Sequence, residues 1–144
     1  MHIKIQKIRE MAVIPTRGSL QAAGSDLYAC LNDAITIMPG ETANIPLGFK
    51  TEFEEGYVAL IYARSGLACK RGLAPANKVG VIDSDYRGEW LVALHNHSGN
   101  PQIIAHNERI AQVVFQKIEK AEFEEVEELS DTERGEGGFG STGA

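Results

Sequence analysis

Apolar and polar residues alternate with a period of two along most of the chain. The alternating segments lie at residues 3–5, 35–37, 58–62, 90–94 and 110–118. This period is typical of short β-strands with one buried face. Turn-forming pairs such as Pro39-Gly40 and Glu55-Gly56 separate the segments. The pattern therefore predicts many short strands joined by tight turns.

The spacing of apolar residues favours a helix in only one segment, from Arg64 to Arg71. The sequence thus predicts an all-β fold with a closed or double-sheet architecture. Gln112 and Gln116 interrupt the last apolar alternation. We expect polar residues at these positions to face either solvent or a subunit interface.

Charge is spread unevenly over the 144 residues, whose net charge is −6. Residues 119–136 contain nine acidic residues and two basic ones, so the rest of the chain is nearly neutral. No broad basic surface for nucleic acid is expected. We predict one β domain at 1–118, a solvated acidic linker at 119–133 and a glycine-rich arm at 134–144.

Two cysteines, Cys30 and Cys69, stand far apart without a CxxC pair. This use of cysteine favours a reducing compartment. No apolar run approaches the length of a membrane span, and the first residues alternate rather than forming a signal sequence. We therefore expect a cytoplasmic protein that does not interact with membranes.

The arm at 134–144 combines five glycines with Arg134, Phe139, Ser141 and Thr142. Arginine forms bidentate hydrogen bonds to phosphate, an aromatic ring stacks on a base, and hydroxyl and backbone N–H groups bind anionic oxygens. One interpretation is a flexible arm that a nucleotide orders. The alternative is an ordinary frayed terminus.

Two further segments are each compatible with two roles. Asp26 follows a Gly-Ser turn, where it can cap the turn or hold waters around a hard cation. Arg64-Ser65-Gly66 precedes the predicted helix, where it can bind an anion or form an ordinary helix N-cap.

The segment from Asn77 to Gly88 predicts a β-hairpin, with a strand at 79–82, a turn at 84–88 and a return strand at 89–95. Asp83 would project from its tip, because Ile82 should point into the core. An aspartate in a pocket can act as a general base toward water. Tyr86 can pack under a sugar ring or at the rim of the core.

The four histidines do not predict a zinc site. His95 and His97 share a strand face, while His2 and His106 stand alone. No cysteine or carboxylate completes a zinc ligand set at the usual spacing.

Five segments in order resemble the motifs of trimeric deoxyuridine triphosphatases (dUTPases). They are 23–29 (AGSDLYA), 64–66 (RSG), 80–88 (GVIDSDYRG), 109–112 (RIAQ) and 134–143 (RGEGGFGSTG). The resemblance implies a distorted jelly-roll (β-clip) subunit with a flexible C-terminal arm. It also implies a homotrimer with active sites between subunits, each closed by one subunit's arm.

The resemblance implies hydrolysis of dUTP to dUMP and pyrophosphate, which removes dUTP from the nucleotide pool and supplies dUMP for thymidylate synthesis. Asp83 matches the general base that orients water against the α-phosphorus, and Asp26 matches the residue that supports Mg²⁺ through bound water. Arg134 matches the catalytic arginine of the arm. The positions matching phosphate-binding groups are Arg64, Ser65, Gly66 and Gln112.

The remaining implied contacts concern the nucleoside and the γ-phosphate. Asn77, Gly80, Val81, Ile82 and Leu91 match the residues that bind uracil. Tyr86 matches the ring beneath the deoxyribose, which leaves no room for a 2′-hydroxyl. Phe139 matches the lid over uracil, and Gly140, Ser141 and Thr142 match the group that binds the γ-phosphate.

Two alternatives to dUTP hydrolysis remain, a deaminase and a non-catalytic module. A dCTP deaminase shares the fold but uses a glutamate on the strand after the hairpin, where this chain has Ala93. The second is a non-catalytic, dUTPase-like module that binds nucleotide or a partner protein and signals, and the presence of Asp83 together with an intact arm argues against such a loss of catalysis. Two departures from the family pattern, Ala63 and Asn107, affect local geometry only, since asparagine tolerates left-handed backbone angles.

Overall fold

The computed structural model describes residues 1–138, which form eleven strands and one short helix. The strands are β1 (Lys4–Lys7), β2 (Ser25–Tyr28), β3 (Ile35–Ile37), β4 (Thr42–Pro46), β5 (Phe49–Glu52), β6 (Tyr57–Tyr62), β7 (Leu73–Pro75), β8 (Gly80–Asp83), β9 (Leu91–Asn96), β10 (Gln102–Ile104) and β11 (Arg109–Lys117). The helix α1 spans Ser65–Arg71. The all-β prediction is confirmed, and the single predicted helix lies where the sequence placed it.

Four antiparallel sheets make up this part of the chain. The largest has the strand order β2-β11-β6-β8, and a second has the order β4-β9-β7. Two strand pairs, β1-β5 and β3-β10, complete the arrangement. Because β8 pairs only with β6, it is an edge strand, and the outer side of its backbone has no strand partner among the described residues.

The core lies between these sheets and is built from the inward residues of the alternating segments. Its largest fully buried side chains include Trp90 and Phe49, whose ring centroids are 5.5 Å apart. Leu27, Ile61, Leu94 and Ile110 from four strands belong to the same cluster. The predicted period of two therefore describes real burial along these strands.

Left-handed backbone geometry ends α1 and supports the turn before β11. Gly72 caps the helix with φ of 66°, and its N–H donates to the carbonyl of Ala68. Asn107 has φ of 65°, so the expectation that asparagine would tolerate this turn is confirmed. The turn at Asn107 leads into β11, which carries the candidate residue Gln112.

The predicted hairpin is wrong in its strand pairing. A tight turn is present, since the N–H of Tyr86 donates to the carbonyl of Asp83 over 3.2 Å. The strands on either side diverge, however: β8 pairs with β6, whereas β9 pairs with β4 and β7. The buried Trp90 immediately before β9 packs on Phe49, which directs the return strand into a different sheet.

Residues 119–133 are exposed and contain no helix or strand. Acidic side chains at this density favour contact with solvent, and the assignment of this segment as a linker stays a prediction. Across residues 1–138, no helix has the length and apolar character needed to cross a lipid bilayer.

Candidate active site

One candidate cluster centres on Asp26 of β2. Oδ1 of Asp26 accepts a hydrogen bond from Nε of Arg64 at 2.7 Å, and Oδ2 accepts one from Nη1 of Arg109 at 3.3 Å. Nη1 of Arg64 also donates to the carbonyl of Arg109 at 3.2 Å. One carboxylate thus faces two guanidinium groups. The resulting excess of positive charge suits an anionic ligand.

Arg109 joins this cluster because of a β-bulge. Residues three apart on a regular strand point to opposite faces, so Arg109 and Gln112 should not line the same cavity, as they do here. The pairing of β11 with β2 shifts between Arg109 and Ala111, which re-aims the strand. Arg109 belongs to the motif at 109–112, but the resemblance gives it no role in the site. Its position in the same motif as Gln112 is the one feature of the sequence that points to the site. Periodicity does not reveal the bulge, because the bulge depends on the pairing of β11 with β2.

The start of α1 borders the same pocket. Arg64 occupies the N-cap position in an extended conformation, and no side chain of the described residues caps the helix. Arg64 is thus an N-cap residue that supplies no side-chain cap, and anion binding by this segment stays a prediction. Ser65 and Gly66 are exposed at the first turn. Their backbone N–H groups are among those that a helix leaves without internal partners.

Gln112 connects β11 to this loop. Its Nε2 donates to the carbonyl of Ala63 at 2.9 Å, immediately before Arg64. A Cβ added at Gly24 would lie 2.8 Å from Oε1 of Gln112, so the glutamine side chain fits against a glycine. Gln116, four residues further along β11, is exposed. Gln112 therefore lies in the cluster, and Gln116 faces outward.

These groups line one open cavity of about 360 Å³. Its walls include Asp26, Arg64, Ser65, Gly66, Arg109 and Gln112. Among residues 1–138, no group of three or more His, Cys, Asp or Glu side chains is arranged to hold a metal ion. A single carboxylate fits Mg²⁺ that keeps several waters and takes its other ligands from phosphates.

A second candidate cluster surrounds Asp83. Its side chain is exposed at the end of the edge strand β8, opposite Val58 of β6. Asp83 lines a cavity of about 640 Å³ together with Tyr57, Arg87 and Lys120. At the same cavity, a hydrogen bond from Lys120 lowers the pKa of Glu55 and raises the pKa of Lys120 itself.

Residues predicted to bind uracil lie on or near this edge strand. Gly80 is buried against Ile61, whereas Val81 and Leu91 are 61% and 45% exposed. Asn77 is exposed, and Ile82 packs on the core, as expected from the alternation. The outer edge of β8 thus offers backbone N–H and C=O groups beside two exposed apolar side chains.

The two clusters occupy opposite ends of β6. Asp83 lies opposite Val58, and Gln112 lies opposite Tyr62. Four strand positions separate these registers, which is about 13 Å along a strand. Within one chain, Asp83 and the Asp26 cluster therefore line different cavities.

Only the first part of the C-terminal arm belongs to the described residues. Nε of Arg134 donates to the carbonyl of Gly137 at 2.8 Å, so its contact in this structure is within the arm. Phe139, Gly140, Ser141 and Thr142 lie outside the described residues. Their predicted contacts stay predictions.

Comparison with known proteins identifies the family. The sequence profile of the dUTPase family matches residues 10–143. A deoxyuridine 5'-triphosphate nucleotidohydrolase of Nautilia profundicola is 52% identical over 143 residues, covering 99% of both chains. One from Desulfitobacterium hafniense is 47% identical, covering 98% of this chain and 95% of the relative.

Solved structures agree in fold. A mutant dUTPase of Staphylococcus bacteriophage 80alpha with dUpNHpp has a TM-score of 0.87 at 27% identity, covering 99% of both chains. The same phage's dUTPase with dUPNHPP has a TM-score of 0.86, again at 27% identity and 99% coverage. The jelly-roll-like β-clip fold implied by the motifs is confirmed. The chain therefore belongs to the dUTPase family, and its activity is that of a dUTP diphosphatase.

Proposed function

We propose that the protein hydrolyses dUTP to dUMP and pyrophosphate by attack of an Asp83-activated water on the α-phosphorus. The water oxygen bonds to the α-phosphorus while the bond from that phosphorus to the α,β-bridging oxygen breaks. The proton of the water passes to Asp83, and pyrophosphate leaves. Phosphoryl transfer depends mainly on positioning and charge stabilisation, so one base beside several cations suffices.

The observation that carries this proposal is the position of Asp83 at the end of the edge strand β8. A carboxylate there stands beside a row of backbone groups with no strand partner among residues 1–138. Such groups can pair with the edge of a pyrimidine as another base would. Asn77, Gly80, Val81, Ile82 and Leu91 would form this uracil site, where crowding excludes the methyl group of thymine.

The Asp26 cluster would bind the triphosphate. Arg64, Arg109 and the N–H groups of Ser65 and Gly66 supply positive charge and donors in one cavity. Gln112 would hold the loop before Arg64 through its hydrogen bond to the carbonyl of Ala63. Each guanidinium group can bind two phosphate oxygens at once. Two arginines in one cavity therefore suit a triphosphate.

Mg²⁺ is the cofactor that we propose. Asp26 would hold it through bound water, as the single carboxylate of a cavity that suits phosphate ligands. When bound, the ion neutralises charge that develops on the phosphate oxygens. The arginines orient the same oxygens from the protein side.

Tyr86 would pack beneath the deoxyribose and exclude UTP. Tyr86 is 42% exposed in the turn that follows Asp83, and its hydroxyl donates to the carbonyl of Glu89 at 3.2 Å. A ring pinned at one end leaves a fixed surface for the sugar. A 2′-hydroxyl would collide with that surface.

We further propose a homotrimer with active sites between subunits. The separation of Asp83 from the Asp26 cluster along β6 supports this, because one chain does not bring the two together. The arm would close the site with Arg134 stabilising charge, Phe139 covering uracil, and Gly140, Ser141 and Thr142 binding the γ-phosphate. An ordered arm would also exclude water.

In the cell, the reaction would remove dUTP from the nucleotide pool and supply dUMP for thymidylate synthesis. A cytoplasmic location suits the two cysteines, which are unpaired in this structure with Cys30 buried and Cys69 exposed. Neither nucleic acid nor membrane is a proposed partner.

The test is pyrophosphate release from dUTP, dTTP, dCTP and UTP, each measured with and without Mg²⁺. We expect efficient release only from dUTP and only with the metal. Ammonia release from dCTP would indicate a deaminase instead. Binding of dUTP without any pyrophosphate would indicate a non-catalytic module, and either outcome refutes the proposal.

A further inference from the structure

Glycine at position 88 is not required by the backbone. Five glycines of the described chain have left-handed φ, namely Gly40, Gly48, Gly56, Gly72 and Gly135. Gly88 is not among them, so alanine would suit its φ. Such a position ordinarily gains stability from alanine, because alanine lowers the entropy of the unfolded chain. The reason for glycine at 88 must therefore lie in its surroundings.

Those surroundings are the ring of Tyr86. A Cβ built at Gly88 would lie 2.2 Å from Oη, 2.4 Å from Cζ and 2.8 Å from Cε2 of Tyr86. Contacts this short cannot be accommodated without movement. The phenol ring is rigid and turns about only two side-chain bonds, so the whole ring would have to leave its place.

We infer that Gly88 is a positioning residue that sets the preference for dUTP over UTP by letting Tyr86 fold back across the loop. This inference rests on the proposed role of Tyr86 beneath the sugar. The absent side chain allows the hydroxyl of Tyr86 to reach the carbonyl of Glu89. A ring held at that point keeps the space near the sugar closed to a 2′-hydroxyl.

Replacing Gly88 should change substrate specificity without affecting folding. Tyr86 is 42% exposed and does not belong to the hydrophobic core, so moving its ring leaves the core packing intact. Gly88→Ala should keep the thermal midpoint of the wild type and lose discrimination between the two sugars. A residue that merely stabilised the loop would show the opposite pattern.

The experiment measures kcat/KM for dUTP and for UTP in Gly88→Ala, with Gly99→Ala as the matched control. Gly99 also lacks a left-handed φ, and a Cβ there would meet nothing within 4 Å. We expect the dUTP-to-UTP ratio to fall about tenfold or more in Gly88→Ala. The gain should appear as a lower KM for UTP, and Gly99→Ala should keep the wild-type ratio.

Tyr86→Ala and the double variant Tyr86→Ala/Gly88→Ala complete the cycle. If Gly88 acts only through Tyr86, the double variant has the ratio of Tyr86→Ala alone. If Tyr86→Ala keeps the wild-type ratio, the proposed role of Tyr86 fails. If Tyr86→Ala loses the ratio while folded Gly88→Ala retains it, the inference about Gly88 is overturned.

Discussion

Arg64 and Asp26 form an ion pair in which Nε of the arginine donates to Oδ1 of the carboxylate over 2.7 Å. The side chain of Asp26 is only 15% exposed, and its other oxygen is bound by Arg109. A single partly buried carboxylate thus orients two cations from different elements. A bound metal with its waters would have to share Asp26 with both arginines.

Replacing Asp26 with asparagine should weaken the response to Mg²⁺. The amide keeps the size of the side chain but loses the charge that orients Arg64 and Arg109. We expect kcat/KM for dUTP to fall by about 10- to 100-fold, with a higher Mg²⁺ concentration at half-maximal activity. Asp33→Asn, at an exposed position, is the control. An unchanged Mg²⁺ titration curve would remove Asp26 from the metal site.

Gln112→Ala should raise the KM for dUTP. The substitution removes the hydrogen bond to the carbonyl of Ala63, which holds the loop before Arg64. Loss of one such hydrogen bond should raise the KM by about tenfold at most. Gln116→Ala on the same strand is the matched control, since Gln116 is exposed. Equal kinetics for the two variants would show that Gln112 does not position the loop.

Acidification should cost this fold stability through His97. Desolvation, followed by the charges of His95 and Lys78, lowers the pKa of His97. Above its unfolded pKa of about 6.5 the group imposes no penalty. Stability is lost as the pH falls through the lower folded pKa, because the unfolded chain binds the proton more tightly.

The variant His97→Gln isolates this effect. It should lose less stability than the wild type between neutral pH and about pH 5, measured by urea unfolding at each pH. His2→Gln, near the exposed N-terminus, should behave like the wild type. Parallel losses in wild type and His97→Gln would contradict the shift in pKa.

The sequence predicts the positions of the strands better than it predicts which strands pair with one another. Alternation identified β6, β9 and β11 because each has one buried face. Alternation carries no information about pairing, so it predicts a hairpin whose return strand follows Gly88, whereas that strand joins another sheet. The bulge beside Arg109 was missed for the same reason, since it depends on the register between β11 and β2.

For the candidate site too, the sequence predicts individual residues better than their arrangement in space. Motif residues such as Asp26 and Arg64 were found individually, and the structure brings them into contact. Their distance from Asp83 depends on how β2 and β11 align on one side of β6 and β8 on the other, and no local pattern contains that information. The resemblance to a family implied sites between subunits, and this separation gives a physical reason to expect them.

Removing residues 134–144 should abolish most activity and spare stability. Residues 119–136 are exposed, and the contact of Arg134 is within its own arm. Loss of an arginine that stabilises the transition state lowers kcat by about 10³- to 10⁵-fold in comparable phosphoryl transfers. A chain whose arm is scrambled at constant composition controls for length and charge. A large drop in thermal midpoint on truncation would show that the arm is structural.

The most direct test of the account mixes two inactive variants, Asp83→Asn and Arg64→Ala, by unfolding and refolding them together in equal amounts. If each site takes Asp83 from one subunit and Arg64 from another, random mixing leaves about a quarter of the sites with both groups intact. We therefore predict recovery of about a quarter of wild-type dUTP hydrolysis. Activity that stays at the level of the separate variants in refolded trimers would contradict the account.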